Sequence, residues 1–232
     1  MPSEAEIYGQ HADQYGRLIS CEDYQHNISR TLNEILAFDG LDILDLGAGT
    51  GRLSAMLAGK ARSLLATDAA PGMLKICRDK LFSVNPDRAW AVVADHRSLP
   101  LKSAIADVIV SGWSVSYLST WDPAAGEKNL SDWLAEAYRV LRPNSHIVLM
   151  ESLGTGNEKP DRLGHLLPFY EWLDKNLFKF TWIRTDYKFG SLDEADELVG
   201  FFFGRELAER VREENLLILP ECTGIWWKQL SQ

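Results

Sequence analysis

The sequence is short of cysteine and of long hydrophobic segments. Its three cysteines, Cys21, Cys77 and Cys222, are scattered and form no CxxC pair, which indicates a reducing, cytoplasmic environment. No run of about 18 apolar residues occurs, so we predict no membrane-spanning helix. The first 15 residues have neither the basic nor the apolar region of a signal peptide, so we do not expect secretion.

Basic residues are also few, and this limits the possible partners. The 24 lysines and arginines are outnumbered by 33 aspartates and glutamates, which gives a formal net charge of −9. Because no lysine or arginine run offsets that charge locally, duplex DNA and RNA are poor general partners. With 46% hydrophobic residues among 232, the chain can bury a large core without disulfides or a metal.

Apolar segments alternate with segments of helical spacing along the first two thirds of the chain. The predicted strands are 41–46, 63–68, 89–95, 106–114 and 146–152, and the predicted helices are 24–38, 52–61, 70–84 and 124–142. Strands that are apolar on both faces and alternate with helices predict a parallel sheet covered on both sides, which is a doubly wound α/β fold.

The last third is less regular. We predict a helix over 162–178 with a kink or restart at Pro168, a strand over 180–189, and a final strand over 223–230. Segment 191–215 predicts one long helix or two, broken near Gly200 or Gly204. It begins with Ser191 and Glu194 at the spacing of a capping box.

A glycine-rich segment follows the first predicted strand. In "ILDLGAGTGRL" (43–53), Gly47, Gly49 and Gly51 alternate with larger residues and leave the backbone amides open to a ligand. Ligands of open α/β sheets bind at the carboxyl ends of the strands, so we predict a binding site here. A dinucleotide, a phosphate or an adenosyl sulfonium would all suit such a loop. The dinucleotide fingerprint needs a third glycine where Arg52 stands, and the Gly-Lys-Ser/Thr of a phosphate loop is absent.

"DLGAGTG" resembles motif I of the class I S-adenosylmethionine-dependent methyltransferases, in particular the small-molecule types 11 and 25. Five further segments resemble that family in the expected order, and together the match spans roughly residues 8–152. They are "YGQHADQYGRL", "TDAAPGML", "VVADHRSLPL", "DVIVSGWSVSYL" and "AYRVLRPNSHIVLMES". The resemblance implies a Rossmann-like three-layer α/β/α sandwich with a helical lid. Its seven-stranded, mostly parallel sheet would have the order 3-2-1-4-5-7-6, with the last strand antiparallel.

The resemblance also implies the cofactor, S-adenosyl-L-methionine, with S-adenosyl-L-homocysteine as product. Asp68 would accept hydrogen bonds from both ribose hydroxyls, and Met73 would pack on the adenine. Asp95 would recognise the adenine amino group. An acid at Asp68 fits a nicotinamide ribose as well, so the dinucleotide alternative stays open. The full set of expected cofactor-binding residues is Tyr8, Tyr15, Asp45, Gly47, Ala48, Gly49, Gly51, Asp68, Ala69, Met73, Asp95, His96 and Ser111.

Methyl transfer from a sulfonium is an in-line displacement, which mainly requires positioning and exclusion of water. A base helps only where the nucleophile arrives protonated. His11 and Trp113 are the candidate catalytic residues, and Tyr117, Glu151 and His165 are candidates for contact with the acceptor. No metal is expected.

These observations predict a methyltransferase acting on a small molecule, as a monomer or homodimer without nucleic-acid or membrane partners. We expect a single domain over 1–232, in which 1–38 form a helical cap, 41–152 the cofactor-binding core and 153–222 the additions that build the acceptor site. The alternatives are an NAD(P)-dependent oxidoreductase and a non-catalytic module that binds S-adenosylmethionine.

Overall fold

Most strands of the chain pair in one mostly parallel sheet. The structure is a computed structural model that describes residues 11–230. Within these residues seven strands pair in the order β3-β2-β1-β4-β5-β9-β6, and β9 runs antiparallel to both neighbours. This confirms the predicted order, with the last strand inserted between the fifth and sixth. The bounds are β1 Asp42–Leu46, β2 Ser63–Asp68, β3 Ala89–Val93, β4 Ala106–Gly112, β5 Leu141–Thr155, β6 Lys179–Arg184 and β9 Glu221–Gln229.

Helices cover both faces of this sheet, because successive strand residues point to opposite sides. Leu44 and Ile109 pack with Trp133 in one buried cluster, whereas Ile43 and Val108 belong to a second cluster. The three-layer α/β/α prediction is therefore confirmed. The helices are α1 Ala12–Cys21, α2 Asn27–Ile35, α3 Arg52–Ala58, α4 Pro71–Val84, α5 Tyr117–Thr120, α6 Gly126–Val140, α7 Leu167–Lys175, α8 Leu192–Phe202 and α9 Arg205–Glu213. Among the helices of residues 11–230, none is long and apolar enough to cross a bilayer.

A third buried cluster joins elements that lie apart in the sequence. Leu18 of α1 packs with Leu198 and Val199 of α8 and with Val211 of α9. Two short strands, β7 Tyr187–Lys188 and β8 Ile218–Leu219, form an antiparallel ribbon that contributes to the same cluster. Residues 187–219, part of the segment expected to build the acceptor site, therefore pack against α1, the first helix of the described chain.

Some predicted elements are divided or shifted in the structure. The predicted strand 180–189 is split into β6 and β7, because Asp186 binds the Arg184 side chain and accepts the Glu221 backbone N–H, which takes the chain out of the sheet. Segment 191–215 forms two helices, and Gly204 between them has a φ of +96°. Segment 162–178 is helical over 164–175, with Pro168 in the first turn of α7, where a missing N–H costs no bond.

Candidate active site

A cavity of about 420 Å³ opens at the carboxyl ends of β1, β2 and β4. Its walls come from the glycine loop after β1, from the residues that follow β2 and β3, and from the start of the segment after β4. This is the edge at which open α/β sheets bind ligands. Twelve of the predicted site residues line it: Tyr15, Asp45, Gly47, Ala48, Gly49, Asp68, Ala69, Met73, Asp95, His96, Trp113 and Tyr117.

The glycine loop adopts a backbone that other residues rarely tolerate. Gly47, Gly49 and Gly51 have φ values of +72°, +55° and +85°. A Cβ on Gly47 would lie 1.9 Å from the Ser114 hydroxyl oxygen, and one on Gly51 would lie 2.8 Å from the Cys77 sulfur. Gly47 is thus required for close packing at the cavity. Gly51, which we predicted as a cofactor contact, is outside the lining and lets α3 pack on α4.

Asp68 is held rigidly at the end of β2. Its Oδ2 accepts the Gly49 N–H and its Oδ1 accepts the Ala70 N–H, both at 2.8 Å. These two bonds fix the orientation of the carboxylate toward the cavity while each oxygen retains lone-pair capacity. The geometry suits a vicinal diol, which can donate one hydrogen bond to each oxygen.

Asp45 presents a buried oxygen without a donor. Its side chain is 1% exposed, Oδ2 accepts the Ser54 hydroxyl at 2.6 Å, and Oδ1 has no hydrogen-bond partner in the described part of the chain. Burial raises the pKa of Asp45 to about 7. Because this residue lines the cavity, a cationic donor such as the α-ammonium of a methionyl group would satisfy it. The residues present therefore fit S-adenosylmethionine, with Asp45 at its ammonium and Asp68 at its ribose.

The residues after β3 form the opposite wall. His96 is buried, and burial lowers its pKa, so the neutral imidazole is favoured. The Asp95 carboxylate accepts two hydrogen bonds from the Arg97 guanidinium, at 2.7 and 3.0 Å, and these hold its pKa at about 2. Arg97 also donates to Asn129 at 3.1 Å. Asp95 is thus already paired, and Arg97 and Asn129 line the cavity beside it, which the sequence did not indicate.

Trp113 stands at the exit of β4 and lines the cavity with an unusual backbone conformation. Its φ is +50°, an uncommon value for a bulky side chain. The Arg52 guanidinium carbon lies 3.7 Å from the centre of the Trp113 ring. Arg52 in turn donates to the buried Glu22. Neither Arg52 nor Glu22 was among the predicted site residues, since nothing in their local sequence marks this contact.

The remaining predicted site residues lie outside the cavity lining. Ser111 is buried and donates to the Leu46 carbonyl at 2.6 Å, so its hydroxyl joins β4 to β1. Glu151 is buried at the end of β5 and accepts the Ser116 hydroxyl at 2.5 Å. The His11 ring contacts the Phe201 ring edge-on at 5.5 Å, and His165 is exposed in a 3₁₀ turn. Tyr8 lies outside the described residues.

The fold and the cavity together define a class of protein. A parallel sheet with an antiparallel strand inserted next to its edge, a glycine loop after β1 and a fixed carboxylate at the end of β2 are features of class I S-adenosylmethionine-dependent methyltransferases. Residues 44–149 match the family model described as a methyltransferase domain. This match covers just under half of the 232 residues and supports the resemblance to class I S-adenosylmethionine-dependent methyltransferases that the sequence motifs predicted.

Curated and solved relatives agree with this assignment. The chain is 38% identical over 110 residues to a malonyl-[acyl-carrier protein] O-methyltransferase of Hahella chejuensis, covering 46% of this chain and 35% of the relative. It is 26% identical over 167 residues to a demethylmenaquinone methyltransferase of Lactiplantibacillus plantarum, covering 69% of this chain and 63% of the relative. The chain thus spans less than two thirds of the length of either.

A solved structure shares the fold at low sequence identity. It is an S-adenosylmethionine-dependent methyltransferase of Aquifex aeolicus, 16% identical with a TM-score of 0.54, and the superposition covers 87% of this chain and 88% of that one. At this identity the likeness concerns the fold alone, so the chemistry of this chain must be argued from its own cavity.

Proposed function

We propose that this protein transfers a methyl group from S-adenosylmethionine to a small-molecule acceptor by in-line displacement. The observation that carries the proposal is the pair of carboxylates in one cavity. Asp68 is fixed by two backbone N–H groups, and Asp45 has a buried oxygen without a donor. A ribose diol and an α-ammonium are the complementary groups, and S-adenosylmethionine carries both.

Within this proposal the chain's main contribution is positioning. The bound cofactor supplies an activated methyl group. Asp68 and Asp45 would hold the ribose and the α-ammonium of the ligand, the glycine loop lets its backbone approach closely, and Trp113 bounds the cavity at the exit of β4. Tyr15 of α1 also lines the cavity, so α1 helps to exclude water from the reacting groups.

The acceptor is proposed as a small molecule or a small group carried by a larger partner. The named activities of the two curated relatives provide one example of each, a quinone precursor and a malonyl group on an acyl carrier protein. The net charge of −9 disfavours nucleic acid. We further propose a single domain over 1–232, a cytoplasmic location, and a monomer or homodimer. Tyr117 is the proposed acceptor contact and Trp113 the residue nearest the reaction, because both line the cavity, whereas His11, Glu151 and His165 lie outside that lining.

Calorimetric titration with S-adenosylhomocysteine, and in parallel with NAD⁺ and NADH, tests the proposed cofactor. We expect micromolar binding of S-adenosylhomocysteine and none of the nicotinamides. Binding of a nicotinamide alone would reinstate the oxidoreductase alternative. Binding of S-adenosylhomocysteine without methyl transfer to any acceptor in a broad screen would favour the non-catalytic module.

Substitution of the ribose-binding acid gives the first residue-level prediction. We expect Asp68→Ala to weaken S-adenosylhomocysteine binding by about 2 kcal/mol or more, because two charge-assisted hydrogen bonds are lost. Asp132→Ala is the matched control, since Asp132 forms a surface ion pair with Lys128 on α6. Unchanged affinity in a folded Asp68→Ala protein would contradict the placement of the ribose.

A further inference from the structure

Arg52 occupies an unusual position for a charged side chain. It follows the last glycine of the loop, begins α3 and lines the cavity, yet its side chain is only 17% exposed. Burying a guanidinium is costly unless it is paired and hydrogen-bonded. Both conditions are met here, because one side of the group contacts Glu22 and its face covers the Trp113 ring.

Glu22 belongs to the helix that closes the cavity. It is the C-cap residue of α1, its side chain is 2% exposed, and it also accepts the Tyr187 hydroxyl at 3.2 Å. The same helix contributes Tyr15 and Ile19 to the cavity wall. Arg52 therefore connects the position of α1 to that of Trp113, which lies on a different element.

Trp113 needs such a contact to hold its orientation. Its left-handed backbone, with a φ of +50°, is strained for a bulky residue and persists only where surrounding contacts fix it. One contact is backbone, from the Trp113 N–H to the Met150 carbonyl at 2.8 Å. The side chain packs against the buried cluster of Ile43 and Val108, and the Arg52 guanidinium carbon lies over the ring, 3.7 Å from its centre.

We infer that Arg52 is a positioning residue, which holds the Trp113 indole in the cavity wall while the Glu22 carboxylate, at the end of α1, contacts the Arg52 guanidinium. This inference rests on the proposed function for its catalytic consequence. The guanidinium covers one face of the indole, and Trp113 lines the cavity that would hold the ligand. The Glu22 carboxylate balances the charge of Arg52, so the wall does not repel a sulfonium.

Near-ultraviolet circular dichroism tests the contact without any ligand. Arg52→Lys keeps the charge but loses the planar stack, so we expect it to change the tryptophan spectrum. The change should vanish in a Trp113→Phe background, where Trp113→Phe and the Arg52→Lys/Trp113→Phe double variant should have superimposable spectra. Arg17→Lys is the matched control, because Arg17 lies on α1, the helix that Glu22 caps, in an exposed pair with Glu197. An unchanged spectrum in Arg52→Lys, or a change that persists without Trp113, would overturn the inference.

Titration with S-adenosylhomocysteine tests the consequence for the cavity. We expect Arg52→Lys to bind about 3- to 30-fold more weakly, the range that a desolvated cation–π contact spans. In the Trp113→Phe background the same change should have less than about a twofold effect, and equal effects in both backgrounds would contradict the coupling. Should Arg52→Lys not fold, Glu22→Gln replaces it in both experiments, with the same expected directions. If the unaltered protein does not bind S-adenosylhomocysteine, the proposed function fails. The circular dichroism experiment still tests the contact between Arg52 and Trp113, because it needs no ligand.

Discussion

At the scale of single residues, Asp45 shows how burial prepares a group for a ligand. An aspartate with 1% exposure is shielded from water, and the Ser54 hydroxyl donates to its carboxylate at 2.6 Å. Burial, with a smaller contribution from the charge of Asp68, raises the Asp45 pKa to about 7. An ammonium placed at its unpartnered oxygen would favour the ionised form, so ligand binding and deprotonation of Asp45 are linked.

This linkage predicts a pH dependence of cofactor binding. Below pH 7 the free protein must lose the Asp45 proton before it pairs with an ammonium, so affinity should rise with pH and level off above about pH 8. For a pKa of about 7, the ionised fraction differs about tenfold between pH 6 and pH 8. We expect a similar ratio in the calorimetric dissociation constants of S-adenosylhomocysteine. Asp45→Asn should bind more weakly and lose this dependence, and a dependence that survives in that variant would assign it to another group.

Some residues of the cavity could be predicted from the sequence and others could not, for a physical reason. Gly47, Gly49 and Asp68 could be predicted because they lie next to strand ends, where local chemistry and position in the fold coincide. Arg52 and Glu22 are separated by 30 positions and meet only through the docking of α1. No periodicity or motif indicates that contact. In the sequence, Arg52 is notable only because it stands where the dinucleotide fingerprint has its third glycine.

At the scale of elements, most turns and helix caps could be predicted from the sequence, and the start of α8 is an example. Ser191 caps this helix by accepting the Glu194 N–H at 3.2 Å, as its spacing predicts. The return bond of the capping box is displaced by one residue, since the Glu194 carboxylate accepts the Gly190 N–H at 2.8 Å. What the sequence did not show is the split between β6 and β7, because that bend depends on Asp186 contacting Glu221 of a distant strand.

The cap of α8 gives a stability prediction. We expect Ser191→Ala to lower the free energy of unfolding by about 1 kcal/mol, since one N–H of the first turn loses its acceptor. Urea denaturation at constant pH measures the difference. Ser131→Ala is the control, because its hydroxyl bonds to a carbonyl within α6, where alanine is well tolerated. Equal stability losses for the two variants would mean that the cap contributes nothing specific.

At the scale of the whole molecule, the parallel α/β architecture followed from the alternation of strands and helices, and the sheet order followed from the resemblance to the methyltransferase family. The distribution of charge followed from neither. Ion pairs at the amino ends of β1 and β4 join Asp42 and Asp107 to Arg62 and Arg142 on the solvent side. Hydrogen bonds from Arg62 are the main cause that lowers the Asp42 pKa. At the carboxyl ends of the parallel strands, several carboxylates are buried instead. Charge that stabilises the fold therefore lies at one end of the strands, and charge that is costly to bury lies at the other.

Glu221 is the clearest of the buried acids at that edge. It is 2% exposed at the start of β9, Ser152 donates to its Oε1 at 2.7 Å, and Oε2 has no hydrogen-bond partner in the described part of the chain. Burial, followed by the charge of Glu22, raises the Glu221 pKa to about 8. The folded state thus keeps a proton that the unfolded chain, with a glutamate pKa near 4.3, releases.

The sign of the resulting pH dependence follows from these proton counts. Between about pH 4 and pH 8 the folded state binds more protons at Glu221 and Asp45 than the unfolded state does, so the free energy of unfolding should fall as the pH rises. The Asp42 pairs act in the opposite direction and only below about pH 4, where protonation of Asp42 removes their contribution. The lowered pKa of the buried His96 opposes the decline below about pH 7, because the unfolded state takes up that proton first, so we expect the steepest decline between pH 7 and pH 8. Urea denaturation at pH 5, 6, 7 and 8 measures the decline, and Glu221→Gln, which cannot ionise, should reduce its slope.

Glu127→Gln, at an exposed pair with Lys175, should leave the slope unchanged. A stability that rises toward pH 8 in the unaltered protein would show that Glu221 is ionised in the folded state.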